Sequence, residues 1–339
     1  MEKIKVGVAG VGHLGRLHAS LYKDVKEAYL SGIFDTDEDK SKKLAAEIGT
    51  RSFDSFEQML ENVDALNIVT PTSTHFELAK KAIQSGKHVF IEKPITRSTN
   101  EAQQLIDLAA EKDCLIQVGH IERFNPAMLA LQDVELDPMF VESHRLASFD
   151  PRGTDVAVIL DLMIHDLDLI LYMVKSMPKK IAASGVGVVS STIDIANARI
   201  EFENGCVANV TASRISNKKM RKMRLFQKDA YISVDFVEGF SEIFYIPKED
   251  RVPFQDGTLA FSLGKINEGE NAREIKYNRL ERKNVNPLLK ELTTFVDAIR
   301  NGLQPPVTAE EGMAALKLAN LVLKEIRSHQ EYIDRHRKQ

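Results

Sequence analysis

Over its first 124 residues the chain alternates short apolar runs with amphipathic stretches, and this alternation restricts the possible folds more than any other feature. The runs are IKVGVAG, AYLSGIFD, ALNIVT, HVFIEK and LIQVGH; between them come RLHASLYKDV, DKSKKLAAEIG, FELAKKAIQSG and TNEAQQLIDLAAEK. Strands that are apolar at successive positions must be covered on both faces, and a helix after each strand supplies the cover. Residues 1–124 are therefore expected to form a doubly wound parallel sheet of the α/β class. From Arg123-Phe-Asn-Pro126 onward the pattern changes to longer alternating strands, FVESHRLAS, NARIEFE, CVANVTASRIS and YISVDFVEG, with a turn at Asn204-Gly205. Alternation predicts an open mixed or antiparallel sheet with one solvated face, so residues 125–330 read as a second, α+β domain. Helices are expected over Pro287–Arg300 and Ala309–Ser328, separated by Asn301-Gly302 and Pro305-Pro306. A length of 339 residues suits two such domains.

Composition removes several function classes. The 45 basic and 49 acidic side chains leave a formal charge of −4, which gives no general attraction to nucleic acid or to an anionic membrane. No run of eighteen uncharged apolar residues is present, and the start MEKIKVGVAGVG enters a strand pattern without the features of a signal peptide, so a cytoplasmic protein is expected. Cys114 and Cys206 stand in apolar, strand-like surroundings away from any second cysteine or histidine at ligand spacing. They are expected to be reduced core residues, and no metal site is expected.

The first strand ends in Gly10-Val11-Gly12-His13-Leu14-Gly15 and opens a helix. Glycines at that junction let the backbone approach a pyrophosphate at a helix N-terminus, where free amides and the helix dipole favour negative charge. Gly10, Gly12, His13, Leu14 and Gly15 are therefore candidate dinucleotide-binding residues. Asp35 ends the second strand, where a carboxylate accepts from both ribose hydroxyls and repels a 2′-phosphate, so NAD is expected rather than NADP. Two more strands leave through polar turns, Thr70-Pro71 with His75 in the following helical turn, and Glu92-Lys93-Pro94. Ligands of open α/β sheets bind at this carboxyl edge, which makes Thr70, Pro71, His75, Glu92 and Lys93 further candidates; helix capping is the alternative for the first turn and a surface cap for Lys93.

One helix of the second half, DLMIHDLDLILYM from Asp161 to Met173, is apolar apart from three aspartates and a histidine. At about 100° per residue Asp161, His165 and Asp168 lie within roughly 60° of one another, while Asp166 falls away from them. A polar stripe of this kind must face water, a partner or a site, because an unpaired buried charge is costly. For Asp168, capping or ion pairing is as good a reading as membership of a site.

Taken together, Gly10, Gly12 and Gly15, the Pro71–His75 turn, Glu92-Lys93-Pro94, and the Asp161 and His165 pair resemble the glucose-fructose oxidoreductase, inositol dehydrogenase and rhizopine-catabolism (Gfo/Idh/MocA) family along essentially the whole chain. The resemblance implies a Rossmann domain joined to an open mixed sheet, and an NAD-dependent dehydrogenase acting on a sugar or cyclitol hydroxyl. It implies that Lys93 and His165 act near the substrate hydroxyl and that Asp161 binds or polarises it. Where many members have glycine before this helix and between the Asp and the His, this chain has DVAVILDLMIHD. The stretch RGTDVAVILDLMIHDLDL also looks like members that oxidise the 3-hydroxyl of UDP-N-acetylglucosamine, so a nucleotide sugar is an expected small-molecule partner.

Arg214, Lys218, Lys219, Arg221, Lys222 and Arg224 fall within eleven residues, and Arg152 lies in the loop before the Asp161 helix. Such charge beside a cleft suits phosphate, and on a strand edge it equally protects against aggregation. The candidate substrate-binding residues are Arg123, Arg152, Arg214 and Arg224 with Asp161 and His165. An imine, enone or dihydrodiol-type reductase and a non-catalytic dinucleotide-sensing regulator on the same fold are the alternative functions. The exposed face of the second sheet makes a homodimer or homotetramer the expected assembly.

Overall fold

The computed structural model describes residues 2–150, 156–247, 260–266 and 273–337. The chain divides into two compact units, residues 1–121 with 286–316, and residues 122–285 with 317–339.

In the first unit, β1 (Ile4–Ala9), β2 (Ala28–Phe34), β3 (Ala65–Ile68), β4 (His88–Glu92) and β5 (Ile116–Gly119) form one sheet in the order β2-β1-β3-β4-β5. Every pairing within it is parallel. These are the five apolar runs of the sequence, and they are joined by α1 (His13–Leu21), α2 (Glu38–Ile48), α3 (Phe56–Glu61), α4 (Thr72–Gln84) and α5 (Thr99–Lys112). Beyond β2, Ser52 forms an isolated parallel bridge to Ile33, with the Ile33 amide donating to Arg51 O and the Phe53 amide to Ile33 O. Counting this segment as a residual strand gives the order 3-2-1-4-5-6 of a Rossmann sheet. The helix starts follow the capping chemistry: Ser98 accepts from the Glu101 amide while Glu101 returns a bond to the Ser98 amide, and Asp37 and Ser55 cap α2 and α3. Val6, Val8, Ile33, Leu66, Ile68, Phe90 and Ile91 are fully buried, as the continuous apolar runs require.

The second unit is built on a nine-stranded sheet. After α6 (Pro126–Leu129) come β6 (Phe140–Leu146), a π-helical turn (Ile159–Met163) running into α7 (Ile164–Val174), β7 (Pro178–Val186), β8 (Ile195–Phe202), β9 (Val207–Ser213), β10 (Met220–Gln227), β11 (Ala230–Asp235), β12 (Phe240–Tyr245), β13 (Phe261–Ile266) and β14 (Arg273–Glu281). The order is β13-β14-β12-β11-β10-β6-β9-β8-β7. Only the β6–β9 pair is parallel, so the sheet is mixed. Its strands alternate in burial, with Val141, Ser143 and Arg145 of β6 inward and Phe140, Glu142 and His144 half-buried on the other face.

That second face carries a ladder of aromatic rings in register across five strands. Phe140 pairs with Phe226, Phe226 with Tyr231, Tyr231 with Phe244 and Phe244 with Tyr277, at centroid distances of 5.5, 5.1, 5.5 and 5.0 Å. Cross-strand aromatic neighbours are a main source of sheet stability. The two C-terminal helices are α8 (Pro287–Asn301), which belongs to the first unit, and α9 (Ala309–Arg337), which extends nine residues past the sequence expectation. No helix among the described residues is long and apolar enough to cross a membrane.

Candidate active site

The polar turns at the carboxyl edge of the first sheet come from β1, β2, β3 and β4. Gly10 has φ +89°, and a Cβ there would lie 2.6 Å from Val69 O; a Cβ on Gly15 would lie 1.9 Å from Gly10 O. Both glycines are demanded by the close approach of the turn to β3 and to itself. Gly12 is different, since a Cβ on it would meet no protein atom within 4 Å, although it sits at the N-cap of α1. The first turn of α1 has neither a side-chain cap nor an acidic residue, and His13 and Leu14 there are exposed. An uncapped helix N-terminus reached over a bare glycine suits a dinucleotide pyrophosphate, so these residues fit NAD.

Asp35 follows β2 directly. Its Oδ2 accepts the Val11 amide at 2.7 Å and its Oδ1 the Asp37 amide at 3.0 Å, which ties the β2 end to the glycine loop. A carboxylate offers about four lone-pair positions, so two acceptor positions remain for ribose hydroxyls. After β3, the Thr74 hydroxyl donates to Thr70 Oγ1 at 2.7 Å, while Pro71 is exposed. His75 is only 1% exposed. Its Nε2 lies 2.9 Å from Thr70 O and its Nδ1 2.9 Å from Pro94 O. His75, expected to contact the cofactor, thus sits buried between the carbonyls of two turns at the site's edge, and the tautomer of the ring decides which of them receives its N–H.

β4 delivers Glu92 and then Lys93, whose peptide to Pro94 is cis. Glu92 is buried and both carboxylate oxygens are occupied, Oε2 by the Lys93 amide at 3.1 Å and Oε1 by His18 Nε2 at 3.1 Å. Behind His18 the chain of bonds continues through Asn67 Nδ2 to His18 Nδ1 at 2.9 Å and from the Tyr22 hydroxyl to Asn67 Oδ1 at 2.7 Å. Burial, reinforced by the charge of Glu291, pushes the Tyr22 hydroxyl well above its ordinary pKa despite its bond to Asn67, so it stays a neutral donor. The sequence reading missed this chain. Its one signal is Asn67, a polar residue inside the apolar run ALNIVT of a strand buried on both faces.

In the second unit the acidic helix does not hold the regular wheel. Ile159–Met163 is a π turn, with the Ile164 amide bonded to Ile159 O, and α7 begins only at Ile164. A wide turn changes the phase of the residues before it, and such turns are frequent at functional sites. Asp161, in the π turn, and His165, in the first turn of α7, are half-buried. Asp166 and Asp168 are only 2% and 1% exposed, and each is spoken for. Asp166 accepts Arg145 Nε at 2.6 Å and the Ser143 hydroxyl at 2.8 Å, and Arg145 also reaches Glu122 at 2.7 Å. Asp168 is held by Arg123 Nε and a terminal nitrogen, both at 2.7 Å. Of the stripe, Asp161 and His165 are the members left partly open to solvent.

The basic residues expected to bind substrate are distributed otherwise. Arg123 pairs with Asp168 and stacks over the Tyr172 ring at 4.2 Å. Arg214 is 4% exposed, donates to Val156 O and lies 3.9 Å from Asp194, so it supports the segment leading into the π turn. Arg221, Lys222 and Arg224 are consecutive or alternate positions of β10, and alternation sends them to opposite faces. Arg221 meets Glu122 on the inner side, while Lys222 pairs with Asp235 at 2.9 Å and Arg224 with Glu142 at 2.5 Å on the outer face. Eleven residues of sequence therefore do not make one cationic patch. Arg152 lies outside the described residues. Cys114 and Cys206 are buried free thiols, and no group of residues that could hold a metal ion occurs among the described residues.

A family model described as "Oxidoreductase family, NAD-binding Rossmann fold" matches residues 4–120, and one described as "GFO/IDH/MocA C-terminal domain" matches residues 139–233. UDP-N-acetylglucosamine 3-dehydrogenase of Acidithiobacillus ferrooxidans is 44% identical over 246 residues, 72% of this chain and 78% of that protein. A solved structure of that enzyme matches with a TM-score of 0.84 at 36% identity, covering 97% of this chain and 99% of the other. Myo-inositol 2-dehydrogenase of Thermotoga maritima is 25% identical over 334 residues, 93% of this chain and 94% of that protein.

Proposed function

The chain belongs to the Gfo/Idh/MocA family of NAD-binding oxidoreductases, and we propose that within it this protein oxidises the 3-hydroxyl of UDP-N-acetylglucosamine. The observation that carries the substrate is the likeness to a UDP-N-acetylglucosamine 3-dehydrogenase, at 44% identity in sequence and over nearly the full length of both chains in structure. NAD⁺ supplies the hydride acceptor. Gly10, Gly12 and Gly15 with the N-terminal amides of α1 hold the pyrophosphate, and Asp35 receives the ribose. Removal of hydride from an alcohol carbon requires loss of the hydroxyl proton, and an imidazole accepts a proton near neutral pH. His165 is assigned that role, with Asp161 orienting the substrate or the ring. The Lys93 ammonium holds the hydroxyl oxygen and stabilises the negative charge that develops on it.

The test is NADH formation by purified protein with UDP-N-acetylglucosamine, free N-acetylglucosamine and the inositols. Turnover of the UDP-sugar in preference to the others is expected. Better turnover of myo-inositol overturns the substrate and favours the cyclitol activity named for the Thermotoga maritima relative.

The half-buried aromatic ladder on the outer face of the second sheet supports a homodimer or homotetramer assembled through that face. Two buried free cysteines suit the reducing cytoplasm, where a UDP-sugar and NAD are also available.

A further inference from the structure

We propose that His18 is a positioning residue for Lys93, acting through Glu92 along the buried chain Tyr22–Asn67–His18–Glu92. The inference rests on the catalytic role assigned to Lys93 above. His18 lies on α1, the helix whose N-terminus carries the glycine loop, and its side chain is fully buried. Asn67 is equally inaccessible, and Tyr22 is 1% exposed. A buried chain of this length is a liability unless every polar atom in it is matched.

The direction of the bonds follows from their chemistry. The neutral Tyr22 phenol donates to Asn67 Oδ1, which turns the Asn67 amide nitrogen toward His18 Nδ1. That ring nitrogen is then the acceptor, and the proton sits on Nε2, aimed at Glu92 Oε1. Glu92 cannot swing away from this donor. Phe90 packs edge-on against the His18 ring with centroids 5.4 Å apart, and on the β5 side a Cβ added to Gly119 would come within 2.8 Å of the Glu92 carboxyl carbon. With Oε1 fixed, Oε2 is fixed as well, and it holds the backbone amide of Lys93 at 3.1 Å. His18 thus sets the backbone from which the Lys93 side chain extends, without itself touching a reactant.

Four variants separate this from a purely structural role. His18→Phe keeps the ring volume and loses the donor; His18→Gln restores an N–H near the position of Nε2. Tyr22→Phe perturbs only the far end of the chain, and Lys93→Ala tests the reading on which the inference rests. Each is measured for kcat, KM of the sugar, NADH affinity and thermal stability. His18→Phe is expected to lower kcat by about tenfold to a hundredfold, as small misplacements of a reacting group do, with NADH affinity nearly unchanged. His18→Gln should recover most of that loss. Unaltered kcat in a folded His18→Phe protein, or a loss of NADH affinity that matches the loss of kcat, overturns the proposal, as does failure of His18→Gln to recover kcat. If His18→Phe does not fold, Tyr22→Phe decides: kcat lower by about twofold to fivefold at unchanged NADH affinity supports the proposal, and unchanged kcat overturns it. Near-normal kcat in Lys93→Ala overturns the assigned role of Lys93 itself. Collapse of kcat in Lys93→Ala with normal kcat in folded His18→Phe overturns only the role of His18.

Discussion

Arg123 grips Asp168 through two parallel hydrogen bonds, with the side chains 6% and 1% exposed. A buried bidentate pair is costly to break from one side, because the remaining charge is stranded. Arg123→Gln is therefore expected to destabilise the protein by about 3–5 kcal/mol in chemical denaturation. The sugar KM of the folded fraction should stay near wild type. A raised KM at unchanged stability would return Arg123 to the substrate.

Arg145 makes the same case more strongly, since it serves Asp166 and Glu122 together. Burial opposes its charge, but the two carboxylates outweigh that and keep the guanidinium firmly protonated. Arg145→Met leaves Asp166 without its cation and Glu122 with Arg221 alone, and should cost at least as much stability as Arg123→Gln. The triple variant Arg145→Met with Asp166→Leu and Glu122→Leu should recover a large part of the loss. Equal stability of the single and triple variants in denaturant titrations contradicts this account.

Lys93 and His165 differ from these arginines in being half-buried, so that each is partly open to solvent. Substitution of either by alanine should lower kcat by roughly two orders of magnitude while thermal stability and NADH affinity remain close to wild type. Steady-state kinetics alongside calorimetry checks it. Parallel loss of stability and activity in His165→Ala would make that histidine structural.

Cofactor choice is tied to the glycine loop through Asp35. The wild type should bind NAD⁺ more tightly than NADP⁺, and Asp35→Ser should narrow the difference. Because Oδ2 also anchors the Val11 amide, this variant should weaken binding of both cofactors, whereas loss of a ribose contact alone would weaken only NAD⁺. Titration of intrinsic fluorescence with each cofactor distinguishes the two.

Asp194 gives a pH dependence of stability. Burial works to raise its pKa, but the Ser190 hydroxyl and the amides of Val189, Ser190 and Val188 outweigh it and hold the carboxyl well below the usual range. A lowered folded-state pKa contributes stability above the unfolded value of about 3.9, and that contribution disappears as pH falls toward the folded value. Asp194→Asn should melt earlier than wild type at neutral pH, and the two melting curves should converge as pH drops below about 4. A constant gap over the whole range would mean that the loop does not depend on the charge.

The strands of the first unit were legible because a parallel sheet covered on both faces imposes unbroken apolar runs, and few other arrangements tolerate them. The residual strand at Ser52 was not, since a single bridge needs no apolar run. In the second unit alternation told which positions of β10 share a face, but the six cations had been grouped by their spacing along the chain instead of by face. The partners of Arg221 and Arg224, Glu122 and Glu142, are remote in sequence, and Asp235 meets Lys222 only once β10 and β11 pair. The acidic helix was misread in phase for a related reason, because a π turn leaves no periodic mark of its own at Ile159–Met163. Asp168, which the wheel grouped with Asp161 and His165, and Asp166, which it set apart, both proved to be ion-paired.

His75 bridges carbonyls that belong to two different connections of the sheet, Thr70 O after β3 and Pro94 O after β4. The ring consequently fills the space between the two connections, and a change at position 75 alters the surroundings of both at once. Diversity can enter instead at Ser73 and Thr74, which point outward on the same helical turn and make no demand on the second connection. A larger or smaller side chain at position 75 would reset the spacing of the two turns together, while substitutions at positions 73 and 74 would leave that spacing as it is.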